Sequence, residues 1–439
     1  MHPHRTLPSV ACALVLLGAP LAAPAQEDAG AAAPAFREGD VIGFDRIDSL
    51  RAFLPAEFWS NRDFFFFEGM ELEIGPFHRD YAPAAAYRDA TEQHRGQPKV
   101  GPDGSLESYV AGMPFPMEAI DCKTDPQAGT KIMWNFDYAW TGDGAAASFY
   151  YSYWDRGEQL PLYYEGSGRA IQLSHRSEPS LLAENGGDLF RGEKRKGAFG
   201  IEVTAPFDAR GISLMTYRYK TADAPRAQAK NDDTWVYIPQ LRRVRRISTA
   251  QRTDAISGTD FTFDDLRSFA GIVPQYEWLC LGTMEILAPM NSKVRAYPYQ
   301  KDLNFGPYGL SFANDRWELR KAIKVRMTPK NADHPYHHKD IYIDRQTLKP
   351  LYSFAYDRKE ELWKVIWHNK RWSEDDRAWY PGWPEVPEPR DLRVVSDIIV
   401  NVQTGTGNRI EFWDNHGTPL DSKGKVRRYI DVGRLSKGR

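Results

Sequence analysis

Long apolar runs, cysteines and an excess of either charge are what this 439-residue chain has least of. Beyond the N-terminus no apolar stretch reaches the ~18 residues that cross a bilayer as a helix, which excludes a polytopic helical membrane protein. Lys plus Arg number 57 against 59 Asp plus Glu, so nucleic-acid binding driven by bulk charge is excluded. There is no Gly-x-Ser-x-Gly elbow, no Walker loop, no His-Glu-x-x-His, no internal repeat and no heptad pattern. With 42% hydrophobic and 26% charged residues, composition is ordinary for a globular chain and excludes a disordered or collagen-like one. What the chain has in abundance is rings: 13 Trp, 22 Tyr and 22 Phe.

The one apolar run is at the start. Met1 to Arg5 is weakly basic, Val10 to Ala23 is apolar, and Ala23-Pro24-Ala25 precedes Gln26 as a small-x-small cleavage site. This pattern predicts a signal peptide over residues 1–25 and a soluble, exported mature chain, periplasmic in a bacterium with two membranes. Cys12 sits before the apolar run has developed, the wrong place for lipidation, so no lipid anchor is expected. Cys122 and Cys280 then remain in an oxidising compartment. Bridged, they would close a long loop and contribute roughly 5 kcal/mol. Unbridged, they would be two small core residues. Sequence separation leaves both readings open.

Three regions follow: the signal peptide, residues 26–100 as a disordered leader and helical N-terminal extension, and residues 101–439 as one β domain. Gln26 to Ala35 is Ala-rich, and Asp48 to Leu54 and Pro83 to His94 read as short helices. Between them Phe64, Phe65, Phe66 and Phe67 must bury or meet something apolar, as lid, dimer contact, membrane-touching patch or core. From Lys131 the period becomes two: Trp134, Phe136, Tyr138 and Trp140 alternate with Asn135, Asp137 and Ala139, the pattern of a half-buried strand. Thr141 to Gly144 is a turn, and Ser148 to Asp155 a second strand. Further strands are predicted over 169–173, 212–220, 235–247, 276–281, 321–328, 339–344, 351–357, 362–367, 394–402 and 410–413. Helical turns are predicted over 178–185 and 263–269. So many strands with few long helices argue a large antiparallel sheet, open or partly closed.

In the segment from Leu241 to Ile247 an extended chain would put Arg243 and Arg245 on one face and Arg242 and Arg246 on the other. Arginines on both faces cannot share one solvated surface, and Asp260, Asp264 and Asp265 are the nearest partners. The pattern fits either an Arg–Asp network pinning a loop to the sheet or an arginine fork for an anionic head group. The aromatics Trp134, Phe136, Tyr138, Phe149, Tyr151, Tyr153, Tyr217, Tyr219, Trp235 and Tyr237 occupy predicted strand positions that form either a core or the lining of a hydrophobic cavity. Asp333 to Asp340 gathers His334, His337 and His338, but Pro335 spoils a local helical metal site, and a polar loop before the strand is the expected reading. No metal, cofactor or catalytic residue is expected. Trp-rich strands with scattered carboxylates leave a carbohydrate-active enzyme as an alternative in which no Asp or Glu pair can be singled out.

The order Tyr109 to Pro116, Trp134-Asn135-Phe136, Trp235 to Pro239, Arg242 to Arg246, Asp260 to Asp265, Tyr342-Ile343-Asp344, then Tyr356-Asp357 with Glu361-Leu362-Trp363 resembles the domain-of-unknown-function family 1329, akin to outer-membrane lipoprotein-sorting proteins. The resemblance covers about residues 100 to 370. It implies a mainly β fold, a large half-open antiparallel β-barrel like LolA and LolB with a helical plug or lid. It also implies a periplasmic shuttle for a lipid or other hydrophobic molecule, working beside an outer-membrane β-barrel and an inner-membrane exporter of the resistance-nodulation-division type. A periplasmic partner-binding module without a ligand is the alternative. The physics suits a carrier, since a sixteen-carbon chain in water costs on the order of 12 kcal/mol, at about 0.8 kcal/mol per methylene.

Overall fold

The computed structural model describes residues 33–156, 162–247, 252–293, 305–375, 383, 385–413 and 420–437. The predicted signal peptide and most of the Ala-rich leader lie outside the described residues. Among the described residues there are seventeen strands: β1 (Val41–Ile42), β2 (Leu72–Ile74), β3 (Lys99–Val100), β4 (Leu106–Glu107), β5 (Gly144–Asp155), β6 (Leu162–Gln172), β7 (Arg195–Ala205), β8 (Ser213–Tyr219), β9 (Asp233–Ile238) and β10 (Arg243–Ile247), followed by β11 (Tyr276–Pro289), β12 (Arg316–Pro329), β13 (His338–Asp344), β14 (Pro350–Tyr356), β15 (Leu362–Trp372), β16 (Leu392–Asn401) and β17 (Thr406–Trp413). All but β3 and β4 form one sheet in the order β1-β2-β12-β13-β14-β15-β16-β17-β5-β6-β7-β8-β9-β10, with β11 also on β12. Every pairing is antiparallel except β2 with β12, and the sheet does not close on itself. Short helices are α1 (Ala56–Ser60), α2 (Ala85–Gln93), α3 (Ala128–Asp137), α4 (Pro179–Asn185) and α5 (Lys423–Tyr429).

Turn-linked hairpins account for most of this order, because consecutive strands with short polar connections pair with each other. Two ladders are long-range: β2 joins β12, and β17 returns to pair with β5, Tyr151 opposite Ile410 and Phe149 opposite Phe412. The β17–β5 ladder stitches the β5–β10 half to the β11–β16 half. Besides the two- and three-residue strands β1 to β4, one long strand carried no readable signal. β7, Arg195 to Ala205, is a mixture of Lys, Gly and Ala around Phe199 and Val203, with too little apolar alternation to register.

The N-terminal extension is built into the sheet. β1 and β2 extend it, and Phe36, Phe53, Phe58, Phe65 and Phe66 are buried with Trp317, Tyr352 and Trp367 from β12, β14 and β15. Phe58 and Phe65 stack at 4.2 Å, and Phe65 meets Trp367 edge-on at 5.0 Å. Within the Phe64 to Phe67 run, Phe65 and Phe66 are core, and Phe64 and Phe67 pack half-buried against it; each fully buried ring is worth about 2–3 kcal/mol of burial.

The predicted strand over Trp134 to Trp140 is instead α3 and its C-terminal turn. Ala128, Ile132, Met133 and Phe136 follow helical spacing, while Trp134 and Asn135 are buried as well. A helix covered on several sides loses its one-sided stripe, so a period-two sub-pattern survives by accident. α3 lies against β11 so closely that a Cβ on Gly129 would stand 2.5 Å from the Trp278 carbonyl oxygen. Cys122, just before α3, is bonded to Cys280 on β11, with Cα atoms 5.3 Å apart. Among the described residues no helix is long and apolar enough to cross a membrane.

Candidate functional site beneath a strap across the sheet

Between β10 and β11 the chain crosses one face of the sheet as a strap, residues 252–271, with 3-10 turns over Ile256–Gly258 and Phe263–Ser268 and neither strand nor α-helix. Its Ser257-Gly258-Thr259-Asp260 stretch favours turns over regular structure. Ile256, Phe261 and Leu266 point down onto Phe149 and Tyr151 of β5, Tyr164 of β6, Ile201 of β7, Ile366 of β15, Ile399 of β16, and Ile410 and Phe412 of β17. These strands are neighbours in the sheet, so the strap covers a continuous aliphatic and aromatic layer. Tyr151 meets Phe261 edge-on at 6.0 Å and Tyr164 at 6.1 Å. Gly166 on β6 makes room for this layer, since a Cβ there would stand 2.6 Å from the Phe149 ring.

Polar anchors hold the strap at intervals. Thr259 shares a 2.5 Å hydrogen bond with the Tyr151 hydroxyl, which also accepts from Asn408 Nδ2 at 2.9 Å. Asp260 accepts from Asn401 Nδ2 at 2.8 Å and from the Thr406 hydroxyl at 2.5 Å. Asp264 accepts from Arg252 at 2.6 Å and from the Tyr276 hydroxyl at 3.1 Å. Asp265, 1% exposed, takes Lys339 Nζ at 2.7 Å, Lys364 Nζ at 3.2 Å and the Tyr336 hydroxyl at 2.8 Å. Burial alone would raise the Asp265 pKa, but the two ammonium groups outweigh it and hold the carboxyl well below its ordinary range. Arg218 of β8 donates to the Ala270 and Gly271 carbonyls at 2.5 and 3.1 Å and closes the far end.

The last anchor joins three side chains far apart in sequence. Ser268 Oγ lies 2.7 Å from His368 Nε2, and His368 Nδ1 lies 2.5 Å from Asp397 Oδ1. The spacing is that of a nucleophile–base–acid relay. Ser268 and His368 are fully buried and Asp397 is 2% exposed, so a substrate carbonyl has no approach to the hydroxyl. Burial also lowers the His368 pKa, against the pull of Asp397. In this arrangement the three residues tie the strap to β15 and β16, where Arg267 and Ser268 take left-handed backbone angles, φ 55° and 65°.

The predicted binding aromatics go to several places. Phe149 and Tyr151 lie beneath the strap. Trp134, Phe136 and Tyr138 sit in a separate cluster under α3, with Trp134 Nε1 donating to the Gly104 carbonyl and the Tyr138 hydroxyl to Asp223. Tyr217, Trp235 and Tyr237 pack with Val426, Tyr429 and Ile430 of the C-terminal segment. Tyr219 donates to Asp233 at 2.5 Å, with Lys230 Nζ 3.6 Å above its ring, and Tyr153 is half-buried on β5 beyond Tyr151.

The expected arginine–aspartate pairing does not form. β10 is the last strand of the sheet and its arginines are exposed, Arg242 in the β9–β10 turn at φ 48°. Arg246 pairs with Asp233, and Asp260, Asp264 and Asp265 bind the strap's other partners instead. An edge strand lets both of its faces reach solvent, which removes the premise that its arginines must pair inside. The pairing residues that sequence reasoning missed are Arg252, Arg218, Lys339 and Lys364. Lys339 stands inside the His-rich stretch, whose His338 opens β13.

A small, shallow cleft lies elsewhere, lined by Tyr81, Tyr87, Trp140, Lys349, Arg390 and Leu392 among others. Burial there pushes the Lys349 amine down to about 8, against the pull of Asp391.

The chain belongs to the family described as protein of unknown function DUF1329, whose model matches residues 65–424. It is similar to an uncharacterized protein of Pseudomonas aeruginosa, 24% identical over 321 residues, and spans 65% of that relative's length and 71% of its own. Among solved structures it is similar to an outer membrane lipoprotein-sorting protein domain from Vibrio parahaemolyticus, at 16% identity and TM-score 0.44 over 70% of this chain and 99% of that one. A DUF1329 family protein from Desulfovibrio piger gives 17% and 0.45, over 71% of this chain and all of the other. A LolA superfamily protein from Nitrosomonas europaea gives 12% and 0.36, over 65% and 91%.

Proposed function

We propose that this protein is a periplasmic carrier that takes up a lipid or other hydrophobic molecule between the strap and the sheet, without catalysis. The observation that carries the reading is the strapped layer itself: an apolar face spanning neighbouring strands, covered by irregular chain that is fastened at discrete polar points. Regular structure packed over the same face would have to unfold to admit a ligand, whereas a strap lifts when a few anchors open. The export signal read from residues 1–25 would place the carrier in the periplasm, and an outer-membrane β-barrel with an inner-membrane exporter would supply and receive its cargo.

The reading is tested by uptake of a fluorescent fatty-acid analogue. Tyr151→Ala and Phe412→Ala should weaken uptake roughly tenfold, about 1.4 kcal/mol of lost contact. Trp235→Ala, in the separate C-terminal cluster, should bind as the parent does. Equal affinities for all the variants would contradict the strapped site and favour a partner-binding module instead.

A further inference from the structure

At one end of the sheet two hairpin tips stand side by side. Residues 206–212 join β7 to β8, and Pro239–Leu241 with Arg242 joins β9 to β10. They are fastened together: Gln240 Nε2 donates to the Asp208 carbonyl at 2.7 Å, and a Cβ on Gly211 would stand 3.1 Å from the Pro239 ring. Each tip is closed by its own backbone, with Gly211 N–H donating to the Val203 carbonyl at 2.8 Å and Arg242 N–H to the Pro239 carbonyl at 3.0 Å. From this rigid pair Phe207 projects 90% exposed and Leu241 47% exposed.

Single exposed apolar residues are common and carry no message. Here the two share one braced tip, and exposed arginines lie on the same two hairpins: Arg210 on the first, Arg242, Arg243 and Arg245 on the second and along β10. The acidic side chains at this end are Asp208 on the tip itself and Glu165 and Glu202 further along the strands. Among the described residues Arg210, Arg242, Arg243 and Arg245 make no ion pair. An aromatic probe at the apex with guanidinium groups behind it matches a bilayer interface, where a ring settles at head-group depth and arginines meet phosphates.

We propose that the paired tips dock this protein on an anionic phospholipid surface, with Phe207 and Leu241 entering the head-group layer and the arginines holding lipid phosphates. The docking goes beyond the carrier reading and does not depend on cargo, because the strap and the tips share no residue.

The test is flotation of the full mature chain with vesicles of phosphatidylethanolamine containing about a quarter phosphatidylglycerol, against vesicles of phosphatidylcholine alone. The chain should float with the anionic vesicles only. Phe207→Asp, and separately Arg242→Glu with Arg243→Glu, should lower the bound fraction about tenfold while melting with the parent, since the altered side chains are exposed. Phe207→Trp should shift its added emission to shorter wavelength on anionic vesicles. No flotation, or flotation that both variants retain, overturns the proposal. So does capture of an outer-membrane protein by a chain that ignores the vesicles, which would make the tip a protein contact.

Discussion

At the scale of single residues the strap's hold is concentrated on Asp265. Its carboxylate lies between two buried ammonium groups, and removing one charge leaves the others unpaired. Asp265→Asn should therefore cost about 3–5 kcal/mol, read by denaturant unfolding. The pH dependence has a definite sign. The folded-state pKa lies below the ordinary 3.8, so the folded protein binds fewer protons than the unfolded chain in acid. The stabilisation is complete above about 3.8 and is lost as pH falls below it through the folded value. Hydrogen exchange of strap amides should accelerate there in the parent and lose that acid step in Asp265→Asn. Ser268 gives the complementary case: Ser268→Ala should cost about 1–3 kcal/mol by stranding His368, and a fluorophosphonate probe should leave the native serine unlabelled. Labelling at Ser268 would contradict the structural role given to the relay. None of these contacts was legible in sequence, because Ser268, His368 and Asp397 lie about a hundred residues or more apart or across a hairpin, and adjacency came only from the fold. Sequence placed Asp260, Asp264 and Asp265 opposite Arg242 to Arg246; the fold instead sets Asp260 on Asn401 and Thr406, Asp264 on Arg252, and Asp265 on Lys339 and Lys364.

Among the elements, short β-branched and aromatic runs bounded by turns were readable nearly to their ends, as β13 (His338–Asp344) and β14 (Pro350–Tyr356) show, both buried along almost their whole length. Failure came where a helix buried on several sides mimicked a period of two, as in α3, or where glycine and lysine diluted the pattern, as in β7. The segment read as one strand from Trp235 to Ile247 is a hairpin, broken at Pro239–Leu241 by a proline that cannot continue the ladder and by the left-handed Arg242. Two attachments between elements are open to measurement. The Cys122–Cys280 bond spans 158 residues, and Cys280→Ser should lower stability by roughly 5 kcal/mol in the chain-entropy model, checked against the parent in reductant. The C-terminal segment leans on Trp235 and Tyr217, whose rings lie 4.8 Å apart. Trp235→Ala should cost about 3 kcal/mol and make residues 420–437 the first to yield to limited proteolysis.

For the molecule as a whole, composition and strand count pointed to one large open antiparallel sheet, and the order of motifs pointed to the family that matches residues 65–424. What they could not supply was which face each strand turns to which cover. The aromatics expected to line one cavity divide among clusters under α3, the strap and the C-terminal segment, because alternation fixes a side chain's face but not what lies over it. On the carrier reading, the layer under the strap holds a hydrophobic molecule. Native mass spectrometry of the protein isolated from periplasm, followed by solvent extraction, tests it most directly. A carrier should arrive with a stoichiometric lipophile that is depleted in Tyr151→Ala; an unliganded mass that incubation with membrane extract leaves unchanged would contradict uptake under the strap.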